Sequence, residues 1–256
     1  VSFHENRVFG TNFAAGVAAG AAFADDEVFL IGSHRDGIDR TMLGADRAAD
    51  AGVGDRVGDE VAALACRAAA VEVGFEFLVD KEHYMTWEQI QALNAAGFEI
   101  GNHTRKHAGV AKQKPEQLAA DVEFIEQQCA KYGIPKPVSF CYPGYQTSVP
   151  AVKLLRERGY QFARAGGAQA FDPAKDDPLT MPQAFDGKPD STLEQFKAAV
   201  AQAKNGKIAV MTFHGVPDIK HPWVNTDPAK FETYMQHLKD EGCKVIALRD
   251  VAKVAQ

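Results

Sequence analysis

The chain lacks the features that mark several common classes of protein. No run of apolar residues approaches the length of about 18 that a membrane-spanning helix needs, which argues against a membrane span. No basic tract is longer than Arg105-Lys106, and the formal net charge is -6, from 28 Lys and Arg against 34 Asp and Glu. Binding to nucleic acid depends on clustered positive charge, so we expect no nucleic-acid partner.

Cysteine is scarce as well. The four residues Cys66, Cys129, Cys141 and Cys243 are too far apart for a C-x-x-C element, which excludes the usual cysteine-based zinc and redox sites. What the chain does contain is the composition of a soluble globular protein, with 46% hydrophobic and 24% charged residues. Its 256 residues are enough to bury one large core, so we expect a single domain.

Residues 1–70 show the weakest pattern. A run rich in Ala and Gly, Phe13 to Ala24, ends in the form of a signal-peptidase site, but Glu5 precedes it and leucine is lacking. A remnant of a leader peptide and a buried small-residue element are therefore alternatives. Strands are predicted at 27–31 and 71–79 and a helix at 59–70, whereas 32–58 has no clear period.

From Met85 onward, helical and strand-like segments alternate at short intervals. Thr86 with Gln89 and Ser191 with Glu194 form the capping-box pattern that begins a helix. Helices are predicted at 86–96, 116–132, 148–158, 191–204 and 227–240, and strands at 98–100, 138–141, 160–163, 207–213 and 244–248. This alternation is typical of βα units around a mostly parallel sheet, so we expect a barrel-like α/β domain.

Two histidines follow the strand predicted at 98–100. In Gly101-Asn102-His103-Thr104-Arg105-Lys106-His107 the two imidazoles are four residues apart, a spacing that places both rings on one face of a helical turn. Imidazole is a common ligand of zinc and other divalent ions. The pair predicts part of a metal site, although two solvated histidines in a loop would show the same spacing.

Polar and aromatic residues also follow two later strands. Cys141-Tyr142-Pro143-Gly144-Tyr145 comes at the end of the strand at 138–141, and His214 comes directly after that at 207–213. The carboxyl ends of parallel strands meet at one edge, where sites assemble. We therefore expect these residues to lie near His103 and His107, although an isolated His214 would more often be a satisfied core residue.

These motifs resemble those of the polysaccharide deacetylases, the carbohydrate esterase family four with the NodB-homology domain. His103-Thr104-Arg105-Lys106-His107 is similar to the family's H-[ST]-x-x-H metal motif, and Met211-Thr212-Phe213-His214 is similar to its late L-x-x-H motif. Cys141-Tyr142-Pro143-Gly144 stands in the place of its R-x-P-[YF] motif. The order of the motifs agrees too, and the resemblance extends from about Val71 to the C-terminus.

The resemblance implies a distorted (β/α) barrel of about seven units, with 71–256 as the deacetylase-like part and 1–70 as a poorly assigned N-terminal part. It implies a metal-dependent deacetylase that removes acetyl groups from N-acetylated sugars. His103 and His107 would bind zinc, cobalt or another first-row ion, and His214 would be the general acid. Main-chain N–H groups around Tyr142 to Gly144 are candidates for stabilising the oxyanion, because Gly and Pro shape a turn with exposed donors, and Tyr142 is the predicted catalytic residue there.

The family's first motif, T-F-D-D-G, supplies the base and the third metal ligand, and the string does not occur here. Phe23-Ala24-Asp25-Asp26-Glu27 is nearest in residue type, which makes Asp25 the predicted base and Asp26 the predicted ligand. The alternatives are loss of both acids or their replacement by a single acid further on, Asp36, Asp50 or Asp55.

Three further residues are candidates for contact with substrate. Cys141 replaces the Arg that often orients the base in the family, and Arg164, after the strand predicted at 160–163, is either its substitute or a surface residue. Tyr145 and Trp223 could stack on sugar rings or pack against the rest of the protein.

Three functions follow from these residues. The first is deacetylation of an acetylated glycan such as chitin or peptidoglycan. The second keeps the site but opens a cyclic amide, a cyclic imide or an allantoin-type ring. The third is carbohydrate binding without turnover, which missing acids would favour. A glycan substrate favours a secreted or periplasmic setting, and the oligomeric state is left open.

Overall fold

The computed structural model describes residues 27–34, 70–71, 86–218 and 221–254, with side chains described from 86 onward. This part of the chain contains eight strands in one parallel sheet. The strands are β1 (Glu27–His34), β2 (Ala70–Val71), β3 (Gly101–Asn102), β4 (Ser139–Cys141), β5 (Phe162–Arg164), β6 (Phe185–Gly187), β7 (Ile208–Phe213) and β8 (Lys244–Ile246). Their order is β5-β4-β3-β2-β1-β7-β6, and β8 also pairs with β1.

The two ends of this sheet meet through the segment just ahead of β6. Met181 forms a parallel bridge with Arg164 of β5, and its N–H donates to Ala163 O at 2.8 Å. A few residues later, the Ala184 N–H donates to Val210 O of β7 at 2.7 Å. The same segment therefore contacts both β5 and β7, which closes the sheet into the distorted α/β barrel that the sequence predicts, as a single domain.

Helices connect the strands close to the predicted positions. They are α1 (Trp87–Ala95), α2 (Pro115–Lys131), α3 (Val149–Glu157), α4 (Leu193–Val200), α5 (Pro228–Asp240) and a short α6 (Val251–Val254). Side chains of Thr86, Ser148 and Asp227 accept hydrogen bonds from the first turns of α1, α3 and α5. These caps satisfy N–H groups that lack partners within the helix, which is why the local sequence predicts where each helix begins.

Some predicted boundaries are wrong. The capping box of α4 is formed by Thr192 and Gln195, because the Ser191 hydroxyl instead accepts from the Lys188 N–H and donates to Asp186 O. The third strand is Gly101–Asn102 rather than 98–100. The strand β6 was not predicted, since three residues show too little of a period. Ala70, which was placed in a helix, lies in β2, and the remainder of the predicted 59–70 helix and 71–79 strand, apart from Val71, lies outside the described residues.

Helices pack on the outside of the barrel through aromatic residues. Phe196 of α4 stacks on Tyr234 of α5 with ring centroids 4.5 Å apart, and Phe185 of β6 meets both edge to face. Burying such rings stabilises the strands that they cover. In this way α4 and α5 hold β6 and β7 in place, and the residues at the ends of these strands are attached to a well-packed part of the core. No helix within the described ranges is long and apolar enough to cross a bilayer.

Candidate active site at the carboxyl ends of the strands

His103 and His107 lie on the loop that follows β3, and this loop is not helical. Thr104 and His107 have left-handed backbones, with φ of 68° and 51°, and the His107 N–H donates to Thr104 Oγ1 at 3.1 Å. The resulting turn brings the two ring centroids to 4.8 Å. The predicted proximity is confirmed, but a tight turn produces it rather than a helical face. Left-handed backbone at non-glycine residues is strained and concentrates at functional sites.

Asn102 ties this turn to the rest of the barrel. Its side chain is fully buried, and Nδ2 donates to Val122 O at 3.0 Å and to the Tyr160 hydroxyl at 2.7 Å. Its Oδ1 accepts from the Thr104 N–H at 2.9 Å. One amide side chain therefore links α2, the segment before β5 and the histidine turn, which limits the freedom of both imidazoles.

The tautomer of His103 follows from one contact. Its Nδ1 lies 2.7 Å from Cys141 O, and since a carbonyl only accepts, Nδ1 carries a proton, so that in the neutral ring the lone pair is on Nε2. A backbone carbonyl on the second ring nitrogen is the usual outer-shell arrangement of a metal-binding histidine. His103 is 3% exposed and His107 is half-buried. Two imidazole nitrogens suit an ion of intermediate softness, such as zinc or cobalt.

The predicted acids cannot be placed beside this pair. Asp25 and Asp26, the predicted base and third ligand, lie outside the described residues, and so do Asp36, Asp50 and Asp55. Within the described part of the chain, no group of three His, Cys, Asp or Glu side chains forms a cluster that could hold a metal ion. Metal binding by the two histidines therefore stays a prediction, and the described residues offer them no third ligand.

A second cluster lies where β6 and β7 end. His214 Nε2 is 3.1 Å from Asp186 Oδ1 and 2.7 Å from the Tyr145 hydroxyl, which in turn donates to Asp186 Oδ2 at 2.9 Å. Burial would by itself raise the pKa of Asp186, but the hydrogen bond and charge of His214 and the ion pair with Lys188 at 2.8 Å outweigh it and lower this pKa to about 2. Asp186 is therefore a carboxylate at any pH near neutrality.

Tyr142 does not have the predicted role. Its N–H donates to Arg164 O at 3.0 Å in the sheet, and its hydroxyl donates to Leu179 O at 2.8 Å. The side chain is fully buried. Both donors of Tyr142 are thus engaged within the fold and do not serve an oxyanion, whereas the same role for the Gly144 N–H stays a prediction.

Arg164 is not the surface residue that was one of its two alternatives. Its side chain is completely buried at the end of β5, where it donates to Gln183 Oε1 at 3.1 Å. The guanidinium carbon lies 5.0 Å from the centre of the Tyr145 ring, within cation–π range. A buried Arg at this edge can orient other groups of the site. The predicted contact between Arg164 and a substrate stays a prediction, and the burial of the side chain does not support it.

Trp223 is the most exposed large aromatic of the described residues, at 64%. It lies on the loop after β7, where its ring meets that of His221 edge to face at 5.3 Å. The bridge between Gly215 and Asn225 places this loop next to His214 along the chain. The predicted contact between Trp223 and a sugar stays a prediction.

The two clusters share one edge of the barrel. Tyr145, which follows β4, reaches His214, which follows β7, and β4 is also the strand whose Cys141 carbonyl holds His103. Within the described residues, no hydrogen bond or ring contact joins His214 to His103 or His107. Sequence reasoning missed Asp186, and the signal that could have found it is an acid between the buried residues Phe185 and Gly187 just ahead of the α4 cap.

Comparison with known proteins finds one family profile that matches part of the chain. Residues 68–163 match the profile of the family described as Polysaccharide deacetylase. That segment contains His103, His107 and Cys141, and it includes neither Asp25 nor Asp26 nor His214. No curated protein matches the chain.

Similar solved structures cover nearly the whole chain at low identity. A family 4 acetyl xylan esterase from Clostridium thermocellum, in complex with a cobalt ion, is 18% identical with a TM-score of 0.55, over 89% of this chain and 91% of that one. Bacillus subtilis PdaA, a family 4 carbohydrate esterase, is 16% identical with a TM-score of 0.54, over 91% and 82%. A peptidoglycan N-acetylglucosamine deacetylase is 13% identical with a TM-score of 0.59, over 88% and 87%. The family profile and the shared fold confirm that this chain resembles the polysaccharide deacetylases of carbohydrate esterase family four.

Proposed function

We propose that this protein is a metal-dependent hydrolase that removes acetyl groups from the N-acetylated sugars of a polysaccharide or oligosaccharide. The observation that carries the proposal is the imidazole pair His103 and His107, with ring centroids 4.8 Å apart and the Nε2 lone pair of His103 directed by Cys141 O. A histidine paired with a carboxylate, His214 with Asp186, stands at the same edge of the barrel. Metal ligands and a proton donor at one edge of the barrel are two of the parts that metal-assisted hydrolysis of an amide needs.

His103 and His107 would hold the ion, and Asp26 is the proposed third ligand. A divalent ion bound there supplies water of lowered pKa and polarises the amide carbonyl. Asp25 is the proposed base that takes the proton of this water. Zinc and cobalt both suit imidazole and carboxylate ligands, and the similar esterase from Clostridium thermocellum is in complex with cobalt.

The protein's own groups then complete the reaction. His214 gives a proton to the amine nitrogen as the C–N bond breaks, so that acetate and a free amino sugar are formed. The carboxylate of Asp186, whose Oδ1 lies 3.1 Å from Nε2, orients the ring of His214 for this transfer. Because Lys188 neutralises part of the charge of Asp186, the carboxylate stays ionised despite its partial burial.

The proposed substrate is an acetylated glycan. Two of the similar structures are named as an acetyl xylan esterase and as a peptidoglycan N-acetylglucosamine deacetylase, and both names refer to a glycan polymer. Trp223, exposed on the loop that follows His214, offers a face on which a sugar ring could stack. No observation favours the ring-opening activities or binding without turnover, and we do not propose them.

Acetate release tests the proposal. The full chain, stripped with a chelator and reloaded with zinc or cobalt, is incubated with acetylated chito-oligomers and with peptidoglycan fragments. We expect release that the chelator abolishes and that is lost in the variants His103→Ala and His107→Ala. The variant His237→Gln is the control, because His237 lies on α5 and packs against Phe196, away from the strand ends. Absence of acetate under every metal, or full release by both histidine variants, would contradict the proposal.

A further inference from the structure

Tyr145 is held in one position by its backbone. Its φ of 66° is left-handed, and its carbonyl accepts from the Gly166 N–H at 3.2 Å. A Cβ on Gly166 would lie 2.9 Å from Tyr145 Cβ, closer than carbon atoms approach without a shift of the backbone. The chain therefore keeps position 166 clear so that Tyr145 can occupy a strained conformation, and strain of this kind accompanies function more often than packing.

Its ring is held as well. The buried guanidinium of Arg164 lies 5.0 Å from the ring centre, and Arg164 is itself fixed by Gln183. Gln183 Oε1 also accepts from Thr212 Oγ1 at 2.9 Å, so the support of the ring extends to β7, the strand that ends at His214. Tyr145 and His214 are in this way connected through the barrel wall as well as through their direct contact.

The hydroxyl closes a triangle with His214 and Asp186. The three sides are 2.7 Å from Tyr145 Oη to His214 Nε2, 2.9 Å from Oη to Asp186 Oδ2, and 3.1 Å from Nε2 to Asp186 Oδ1. Asp186 is ionised, so an Nε2 without a proton would face a carboxylate oxygen with its lone pair. The arrangement is favourable only if Nε2 carries a proton and the Tyr145 hydroxyl donates to Asp186.

We propose that Tyr145 is a positioning residue for the acid, and that it is not a platform for a sugar ring. Resting on the proposed function, Tyr145 and Asp186 together hold the Nε2–H of His214, so that the ring keeps one orientation while it acts as the acid. As the C–N bond breaks, a proton passes from the imidazole to the amine nitrogen, and acetate and a free amino sugar are formed.

A change of leaving group tests this assignment. In Tyr145→Phe, kcat for an acetylated chito-oligomer should fall about 10- to 100-fold with KM unchanged, because a hydrogen bond that orients a charged donor is lost. With para-nitrophenyl acetate, whose phenolate leaves without a proton, kcat should change by less than about twofold. Tyr234→Phe is the matched control, since it removes another buried tyrosine hydroxyl, which bonds to Ser191 O and makes none of the three hydrogen bonds of the triangle. Equal losses on both substrates, or a raised KM with normal kcat, would overturn the proposal.

A second variant reaches Tyr145 without altering it. Gly166→Ala should displace Tyr145 and reproduce the amide-specific loss, and the double variant Gly166→Ala/Tyr145→Phe should be no worse than the more impaired single variant. Additive losses, or no loss in Gly166→Ala, would contradict the idea that this contact holds the tyrosine for His214.

NMR of the imidazole nitrogens separates this inference from the proposed activity. The His214 signals, assigned by their disappearance in His214→Gln, should show an Nε2–H tautomer for the neutral ring and should shift in Tyr145→Phe but not in Tyr234→Phe. If the wild-type protein releases no acetate but shows this pattern, the proposed function fails and the positioning stands. If acetate is released and the His214 signals do not shift in Tyr145→Phe, the positioning role of Tyr145 is wrong and the proposed function stands.

Discussion

The two histidine clusters at the strand ends are held in different ways. His103 and His107 are brought together by a turn of five residues, fixed by backbone geometry and by Asn102 directly ahead of it. His214 is held by Tyr145 and Asp186, which lie 69 and 28 residues away along the chain. The first, which we call the local cluster, is formed by neighbours in the sequence and is then anchored to other elements by Asn102 and by Cys141 O. The second, which we call the distant cluster, exists only when the barrel is closed, because its members lie on or after three different strands.

The largest effect should come from removing a ligand of the local cluster. In His103→Ala we expect affinity for cobalt to fall by more than about 100-fold, beyond what loss of an outer-shell partner costs, and acetate release to disappear. The visible absorption of added cobalt and acetate release by the same sample measure both effects. Normal cobalt binding would show that the pair is not a metal site.

The distant cluster should respond without affecting the metal. In His214→Ala and in Asp186→Asn we expect kcat on the acetylated sugar to fall about 10²- to 10⁴-fold, the usual contribution of general acid catalysis. Cobalt affinity should stay within about twofold, because neither residue is one of the proposed metal ligands. Loss of cobalt binding in Asp186→Asn would show that the two clusters do not act separately.

A change beneath the local turn should have an intermediate effect. Asn102→Ala removes three buried hydrogen bonds, those with the Thr104 N–H, Val122 O and the Tyr160 hydroxyl, of which the hydroxyl keeps its bond to Glu126. We expect unfolding to become about 2–3 kcal/mol easier and cobalt affinity to fall about 10- to 100-fold. Urea unfolding and cobalt titration are the measurements. Gln127→Ala, on an exposed face of α2, is the control and should change neither.

The smallest effect concerns pH and the distant cluster alone. The pKa of Asp186 is lowered from 3.8 to about 2, so its contribution to stability is complete above pH 4 and is lost as pH falls toward 2. The shift corresponds to about 2 kcal/mol. Urea unfolding should therefore show a smaller loss of stability over this range in Asp186→Asn than in the wild-type protein. Identical pH dependence of the two would mean that His214 and Lys188 do not hold the carboxylate.

The accuracy of sequence-based prediction differed between helices and strands. The ends of α1, α3 and α5 were predicted well, because caps such as Thr86 and Asp227 act within one turn. The strands were predicted with shifted ends, and β6 was missed. A strand of two or three residues forms because of its hydrogen bonds to neighbouring strands, which the local sequence does not show. The segment ahead of β6 illustrates this, because Met181 becomes extended through its bonds to β5.

Sequence alone determined the α/β alternation, the start of most helices and the pair of histidines, because each depends on contacts within a few residues. The tertiary structure decided that Tyr142 lies in the core, that Arg164 is buried, and that Asp186 and Tyr145 belong to His214. Those outcomes depend on which strands become neighbours when the barrel closes. Since side chains at distant positions meet only through that closure, no local pattern contains the information that they will touch.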